Sequence, residues 1–272
     1  MRVLCRVLGV SRSGYYAWAG RAESARARRA RWLRDRIVEV HGRSRGTYGA
    51  PRIFAELREL EIRTSRKRVA ALMREAGIRG LHRSRRRRPR PDPASAAIPD
   101  LVARRFRPAR IDRIWAADIT EFPTTAGIVY LAVVLDLCSR MVVGWAIERH
   151  MRTELVVQAL EMAVGRRQPA AGLIHHSDHG SQYGSLVFGQ TLERAGIARS
   201  MGRVGTPADN AVVESFFDTL KLELFLDARL LSFESVKALL FEWIEVFYNR
   251  QRRHTTVGAV SPLEFERRLA LS

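Results

Sequence analysis

Three apolar runs follow one another almost without a break between residues 113 and 148, and they limit the possible folds more than any other feature of the chain. IWAADIT and MVVGWAIE each read as a strand. Between them IVYLAVVLDLCS is apolar enough throughout to be buried on both faces. The connections are too short for a crossover helix, Ser139 and Arg140 making the second one, so the three form an antiparallel meander. The period then changes. Thr153 is placed to cap a helix that turns Leu155, Val156, Ala159, Leu160 and Ala163 inward. GLIHHSD reads as a fourth strand, 185–195 as a helix stopped by Gly196, and IARSMG as a fifth strand. Asp209 precedes a long helix reaching about Phe225. The expectation is an α/β core over 111–228, a mixed five-stranded sheet with flanking helices, and a helical extension over 229–272 that packs on it.

The first 110 residues are of another kind. They hold 30 Lys or Arg and 9 Asp or Glu, whereas residues 111–272 hold 17 and 19, so the whole excess of +19 lies in this part. Such segregation points to a polyanion partner for one half of the chain. Residues 1–19 read as a short helix, a turn at Gly9 and a second short helix from Ser11; Leu33, Ile37 and Val40 then mark a longer helix. Pro51 opens a helix with Ile53, Leu57 and Leu60 on one face. After a turn over Glu61–Thr64, Ser65 caps a helix carrying Val69, Leu72, Met73 and Ala76, which Gly77 stops. A short-turn helix pair with Arg66, Lys67 and Arg68 opening its second member is how a helix-turn-helix meets DNA. Residues 1–82 are therefore read as a small all-α, helix-turn-helix-like DNA-binding region. A solvated basic face on a plain helical bundle is the competing reading. Residues 83–110 read as an Arg/Pro-rich linker, in which Arg85, Arg86, Arg87 and Arg88 can track a phosphate backbone.

Three acids stand where the α/β half would gather them: Asp118 near the end of the first strand, Asp178 at the end of the fourth, and Glu214 in the long helix. Converging carboxylates repel one another and raise each other's pKa. Mg2+, or Mn2+ in its place, relieves that with hard-oxygen coordination and open positions for water and phosphate. Two such ions about 3.5–4 Å apart clamp the attacking and leaving oxygens of an in-line phosphoryl transfer. Asn210, Glu214, Asp218 and Lys221 share one face of the long helix, with Val212, Phe216 and Leu220 on the other. Lys221 is one of only three lysines in a chain that otherwise uses Arg, which favours a phosphate contact over pairing with Asp218. The order of strands and helices is the one found in the RNase H-like fold.

WAADIT, HHSDHGSQY, GTPADNAVVESFFDTLKLEL and YNRQRRHTTVGAVSPLEFE together resemble the second-frame (OrfB) transposases of the IS-three family of bacterial insertion sequences, within the wider retroviral-integrase-like group. The 35 residues between Asp178 and Glu214 match that group's D-D-(35)-E spacing, and Lys221, seven after Glu214, matches its additional lysine. GTYGAPRIFAELRELEIRTSRKRVAALMREAGIRG resembles the family's helix-turn-helix-like segment and VLGVSRSGYYAW its start, so the resemblance runs nearly end to end. It departs at His179, where many relatives carry Arg; His meets phosphate only when protonated.

The resemblance implies a DDE-type DNA transposase, a polynucleotidyl transferase and endonuclease. Water first displaces the 3′-oxygen at an element end, and the freed 3′-OH then attacks a second phosphodiester. No covalent protein–DNA intermediate is implied. Asp118, Asp178 and Glu214 would hold two metal ions, and Lys221 would hold DNA phosphate. The implied partners are the terminal inverted repeats and target DNA, further copies of the chain on that DNA, and an upstream-frame (OrfA) protein, separate or fused. Two other classes stay open: a catalytically silent DNA-binding relic or regulator, and an RNase H-like nuclease that cuts without joining.

Other residues carry competing readings. Asp136 ends a strand and reads better as a turn residue than as a fourth acid. His175, His176 and His179 lack the cysteines and the spacing of a zinc site. Gln182 and Tyr183 either touch DNA or shape the loop beside the acids, Trp115 reads as core, and Asn210 supports the site or merely opens the helix. A helix through Phe241, Ile244, Glu245 and Tyr248 is expected to pack on the core, with Arg250, Arg252, Arg253 and His254 beyond it as candidate DNA contacts. Cys5 and Cys138, far apart and in no CxxC, fit a reducing cytosol. No run reaches ~18 apolar residues and no signal peptide is evident, so a cytoplasmic, nucleoid-associated protein is expected.

Overall fold

A computed structural model describes residues 1–81, 98–103, 105–125, 127–202, 210–224 and 232–271. The chain divides into two compact units, Met1–Gly80 and Leu81–Ser272. Arg85 to Arg88 lie outside the described residues, as do most of the linker and the expected cap Asp209.

The first unit is all helical: α1 (Arg2–Val7), α2 (Arg12–Ala19), α3 (Ala25–Arg43), α4 (Ala50–Glu59) and α5 (Arg66–Glu75). Leu33, Ile37 and Val40 of α3 meet Ile53 and Leu57 of α4, and Val69, Leu72 and Met73 of α5, around Tyr48. These are the apolar positions that the helical spacing marks. Pro51 occupies the first turn of α4, where its missing N–H costs nothing. Gly80 lies so close to the backbone of Gly49 that a Cβ there would collide with it.

The second unit is built on one sheet. Its strands are β1 (Ile114–Thr124), β2 (Gly127–Asp136), β3 (Val142–Glu148), β4 (Ile174–Ser177) and β5 (Ala198–Met201), in the order β3-β2-β1-β4-β5. The first three form the expected antiparallel meander, and β4 and β5 add in parallel beside β1, so the sheet is mixed. The parallel strands are joined through α6 (Thr153–Arg167), α7 (Ser181–Gly184) and α8 (Leu186–Arg194). The cap of α6 is Arg152, one residue before the expected Thr153.

Alternation along β1 divides the core in two. Trp115 and Ala117 face α6 and α8. Ala116 and Phe122 face α9 (Ala211–Leu224), α10 (Phe233–Phe241) and a π-helix over Glu242–Tyr248. A last helix, α11 (Pro262–Leu271), ends the described chain.

The C-terminal segment is stitched into the sheet. The β2–β3 register shifts beside Val134 and Leu135, and there the Asn249 amide donates to the Val142 carbonyl and accepts from the Val142 N–H, both at 3.0 Å. Arg167 of α6 bridges Asp112, at 2.8 Å, and Glu266 of α11, at 2.7 Å. Phe241, expected on the packing face, is exposed, because α10 turns Val236 and Leu240 inward; in the π-helix that follows the inward side chains are Trp243, Ile244, Phe247 and Tyr248.

Candidate active site

The pairing of β1 with β4 ends at Ala116 and His176, and each strand reaches an acid two residues further on, Asp118 and Asp178. In a parallel pair equal steps keep residues side by side, so the two carboxylates come from neighbouring positions where the strands part. Asp118 is not near the end of its strand as expected. The strand runs on to Thr124 as a hairpin with β2, and only its pairing with β4 stops early. Two hydrogen bonds orient the acids: the Ile119 N–H donates to Asp118 Oδ1 at 2.8 Å, and the Gly180 N–H donates to Asp178 Oδ1 at 3.0 Å.

Two contacts fix how α9 lies on β1. Asn210 Nδ2 donates to the Ala117 carbonyl at 3.2 Å, and Lys221 Nζ lies 5.5 Å from the centre of the Phe122 ring. Eleven helical residues rise about 16.5 Å and five strand residues span about 16.5 Å, so the helix runs alongside the strand in the same direction. Glu214, one turn past Asn210, is thereby carried to the level of Asp118, on the face that Asp118 shares with Ala116 and Phe122. Val213, rather than the expected Val212, is the fully buried valine of that helix; Phe216, Phe217 and Leu220 continue the inward face.

The electrostatics agree with this placement. Protein packed around the Asp118 carboxyl pushes its pKa up to about 7, the charges of Asp178 and Glu214 add to the rise, and Lys221 opposes it. Among the described residues no three His, Cys, Asp or Glu side chains stand close enough together to hold a metal ion as they are. The donor set still suits a hard cation, since all three acids offer carboxylate oxygens and their mutual repulsion is what such a cation removes.

Around the acids the structure assigns other work. Asp136 is wholly buried and organises a turn, accepting from the N–H groups of Asp112, Cys138 and Ser139. Burial forces the His175 pKa down to about 3, and its ring lies against Tyr183 and Phe188. His176 Nδ1 meets Ser200 Oγ at 2.9 Å, and His179 Nε2 meets the Gly202 carbonyl at 2.5 Å. Gln182 donates to the Met151 carbonyl at 2.9 Å, which ties down the loop. Tyr183, beside Gln182 on α7, is buried, and burial together with the charges of Asp118 and Asp178 holds its phenol in the neutral form. The sequence signal for Tyr183 was only its place five residues after Asp178.

Arg252 and Arg253 require a correction, because the fold consumes both. Arg252 makes a bidentate pair with Glu223 at 2.7 Å, with both side chains about 5% exposed or less. Arg253 donates to the Ala259 carbonyl at 2.7 Å and is buried. Neither is presented to DNA. In the other unit Arg66, Lys67 and Arg68 are all exposed on the first turn of α5, where Ser65 Oγ accepts from the Arg68 N–H at 3.2 Å.

An Integrase core domain family model matches residues 108–207, a second model of that description matches 195–262, and an HTH-like domain model matches 27–88. The chain is 37% identical, over 98% of its length and 93% of the relative's, to the InsF transposase of insertion sequence IS3A of Escherichia coli. It is 38% identical, over 96% and 97%, to an uncharacterized 31 kDa protein of insertion element IS600 of Shigella sonnei. Among solved structures, the catalytic core domain of HTLV-2 integrase in complex with magnesium is 16% identical, covers 58% of this chain and 99% of that one, and superposes with a TM-score of 0.46.

Proposed function

Because the chain belongs to the IS-three family of insertion-sequence transposases, we propose that it cuts DNA at the ends of its element and joins the freed 3′-OH to target DNA. What supports this reading is that Asp118 and Asp178 follow the last paired residues of β1 and β4, that α9 carries Glu214 alongside β1, and that the charges of Asp178 and Glu214 act on Asp118. Asp118, Asp178 and Glu214 would hold Mg2+, as a pair of ions; the residues themselves require only a hard cation. When bound, that cation supplies charge for the phosphate oxygens and acidity for the attacking hydroxyl. Lys221, beside Phe122 and acting on Asp118, meets the scissile strand's phosphate. The Gly180 N–H on Asp178 and the anchoring of α7 through Gln182 and the buried Tyr183 steady the segment that carries Asp178.

DNA is the partner of both units. Arg66, Lys67 and Arg68 contact it from the start of α5, and the linker arginines Arg85 to Arg88 add contacts to its phosphate backbone. Joining two ends calls for more than one copy of the chain on DNA, with the upstream-frame protein as a further partner. Among the described residues no helix is long and apolar enough to cross a membrane; a protein working on this substrate acts in the cytoplasm, at the nucleoid.

The test is a strand-transfer assay with purified protein, Mg2+ or Mn2+ and labelled duplex carrying the element's own end, with Glu214→Gln as control. The expected result is joined product that needs metal and disappears in the variant while DNA binding persists. Nicking without joining would reassign the chain to the nucleases. Binding without nicking, unchanged when the upstream frame is fused on, would reassign it to silent DNA-binding proteins.

A further inference from the structure

The HTH-like match begins at residue 27 and leaves a second helix pair outside it. That pair, α1 and α2, shares the closing and capping bonds of α4 and α5 over a shorter join, four residues in place of six. The same kind of closure also ends α3, α5 and α8, so what matters is its pairing with a short join, a serine cap and an opening arginine. At the end of α4 the Glu61 N–H donates to the Arg58 carbonyl at 3.0 Å and the Ile62 N–H to the Leu57 carbonyl at 2.8 Å. At the end of α1 the Gly9 N–H donates to the Arg6 carbonyl at 3.3 Å and the Val10 N–H to the Cys5 carbonyl at 3.0 Å. Both closures place a left-handed residue at the same point, Glu61 at φ 57° and Gly9 at φ 63°. A serine then caps the next helix: Ser65 accepts from the Arg68 N–H at 3.2 Å, and Ser11 from the Gly14 N–H at 3.0 Å. An arginine opens each second helix, Arg66 and Arg12. Four residues, Leu8 to Ser11, join α1 to α2, the connection length of a helix-turn-helix, and glycine supplies its left-handed position.

The charge of the segment fits a polyanion. Residues 1–22 contain Arg2, Arg6, Arg12 and Arg21 and no acid, and Arg2, Arg6 and Arg12 are exposed. On α2 the exposed Ser13 and Ala17, small residues that let a helix approach a duplex closely, share a face with Tyr16, 55% exposed. Only Cys5 is buried in the pair, so its basic side chains are not used up within the fold as Arg252 is.

We propose that α1 and α2 form a second double-stranded-DNA contact, separate from that of α4 and α5, with the first turn of α2 at the duplex and Arg6 and Arg12 on its phosphates. The proposal rests on the reading of this chain as a DNA-binding transposase and divides its DNA contact into two parts.

The experiment uses the full chain and duplex carrying the element's own end. Hydroxyl-radical footprints and binding constants across a salt series are measured for the wild type, for Arg6→Ala/Arg12→Ala and for Arg66→Ala/Lys67→Ala, with circular dichroism confirming the helical content of each. Each phosphate contact contributes about 0.9 to the slope of log affinity against log salt. The first variant is therefore expected to lose about 2 from that slope and one protected segment of the footprint, keeping the segment that the second variant loses. Arg12→Glu should deepen the loss. An unchanged slope and footprint in Arg6→Ala/Arg12→Ala, alongside a loss in Arg66→Ala/Lys67→Ala, would overturn the proposal and leave the broader DNA reading standing. If oligomeric state changed in its place, the exposed Leu4, Leu8 and Trp18 would mark a protein contact. Full binding by both variants would instead defeat the DNA-binding reading of the whole helical unit.

Discussion

Replacing Asp118 by Asn should make the metal-free protein more stable while destroying its activity. In the fold the Asp118 carboxyl titrates at about 7, against an ordinary 3.8, because it is packed in protein and faces Asp178 and Glu214. The folded state therefore holds this proton more tightly than the unfolded chain does. The resulting stability is complete below pH about 3.8 and is lost as the pH rises through about 7. At about 1.4 kcal/mol per pH unit, the full cost of ionising Asp118 is about 4 kcal/mol. Solvent reaching the partly open carboxyl reduces that to about 2–3 kcal/mol. Asparagine keeps an oxygen to accept from the Ile119 N–H, so little else is lost. For a unit of this size a gain of that order raises Tm by about 5–10 °C.

The assay is thermal unfolding of wild type and Asp118→Asn in a chelating buffer at pH 8.5 and at pH 4.5. The gap should be wide at the higher pH and within about 1 kcal/mol at the lower one. Adding Mg2+ at pH 8.5 should then raise the Tm of the wild type and leave that of the variant nearly still, since only a cation bound by the folded state stabilises it. A gap of equal size at both pH values, or none, would refute the electrostatic account of the site.

Three further outcomes follow from the packing. Arg252→Ala strands the Glu223 carboxylate in the interior and should cost about 3–5 kcal/mol in denaturant unfolding; filter binding at low temperature should find the DNA affinity of the folded variant unchanged. Gly144→Ala drives a Cβ into the Ala159 carbonyl of α6 and against Ala163, and should lower Tm by an amount corresponding to about 3 kcal/mol; melting like the wild type would mean that β3 and α6 separate freely. Asn249→Ala orphans both backbone groups of Val142, a loss of about 2–3 kcal/mol, with faster amide exchange localised to β3.

The sheet was legible because β2 is buried on both faces from Leu131 to Asp136, which writes a continuous apolar run over 131–135 directly into the sequence. The acids were legible for the opposite reason: Asp118 breaks the apolar start of β1, and Asp178 directly follows the last residue of β4. What lay hidden depended on partners distant in the chain. Nothing around Arg252 announces Glu223, 29 residues earlier, so NRQRRH read as a free basic patch. Nothing around Asn249 announces a register shift in the β2–β3 ladder, 107 residues from it at Val142. Phe241 misled because its apolar side chain lies one residue past Leu240, on the outer side of a helix whose inward face is Val236 and Leu240.

The helix that brings Glu214 to the site is held at both ends by residues outside the acid motif. At its start Asn210 binds the carbonyl of Ala117, the residue before Asp118, so the level of Glu214 is set against the strand that carries the first acid. Near its end Glu223, two residues past Lys221, is gripped by Arg252 from the C-terminal segment. That segment is in turn fastened to β3 through Asn249. Helix α9 can therefore neither slide along β1 nor lift from it without breaking a buried polar contact. The spacing of 35 residues between Asp178 and Glu214 is only the chain length needed to reach this position; the position itself is fixed by the amide at one end of the helix and the ion pair at the other.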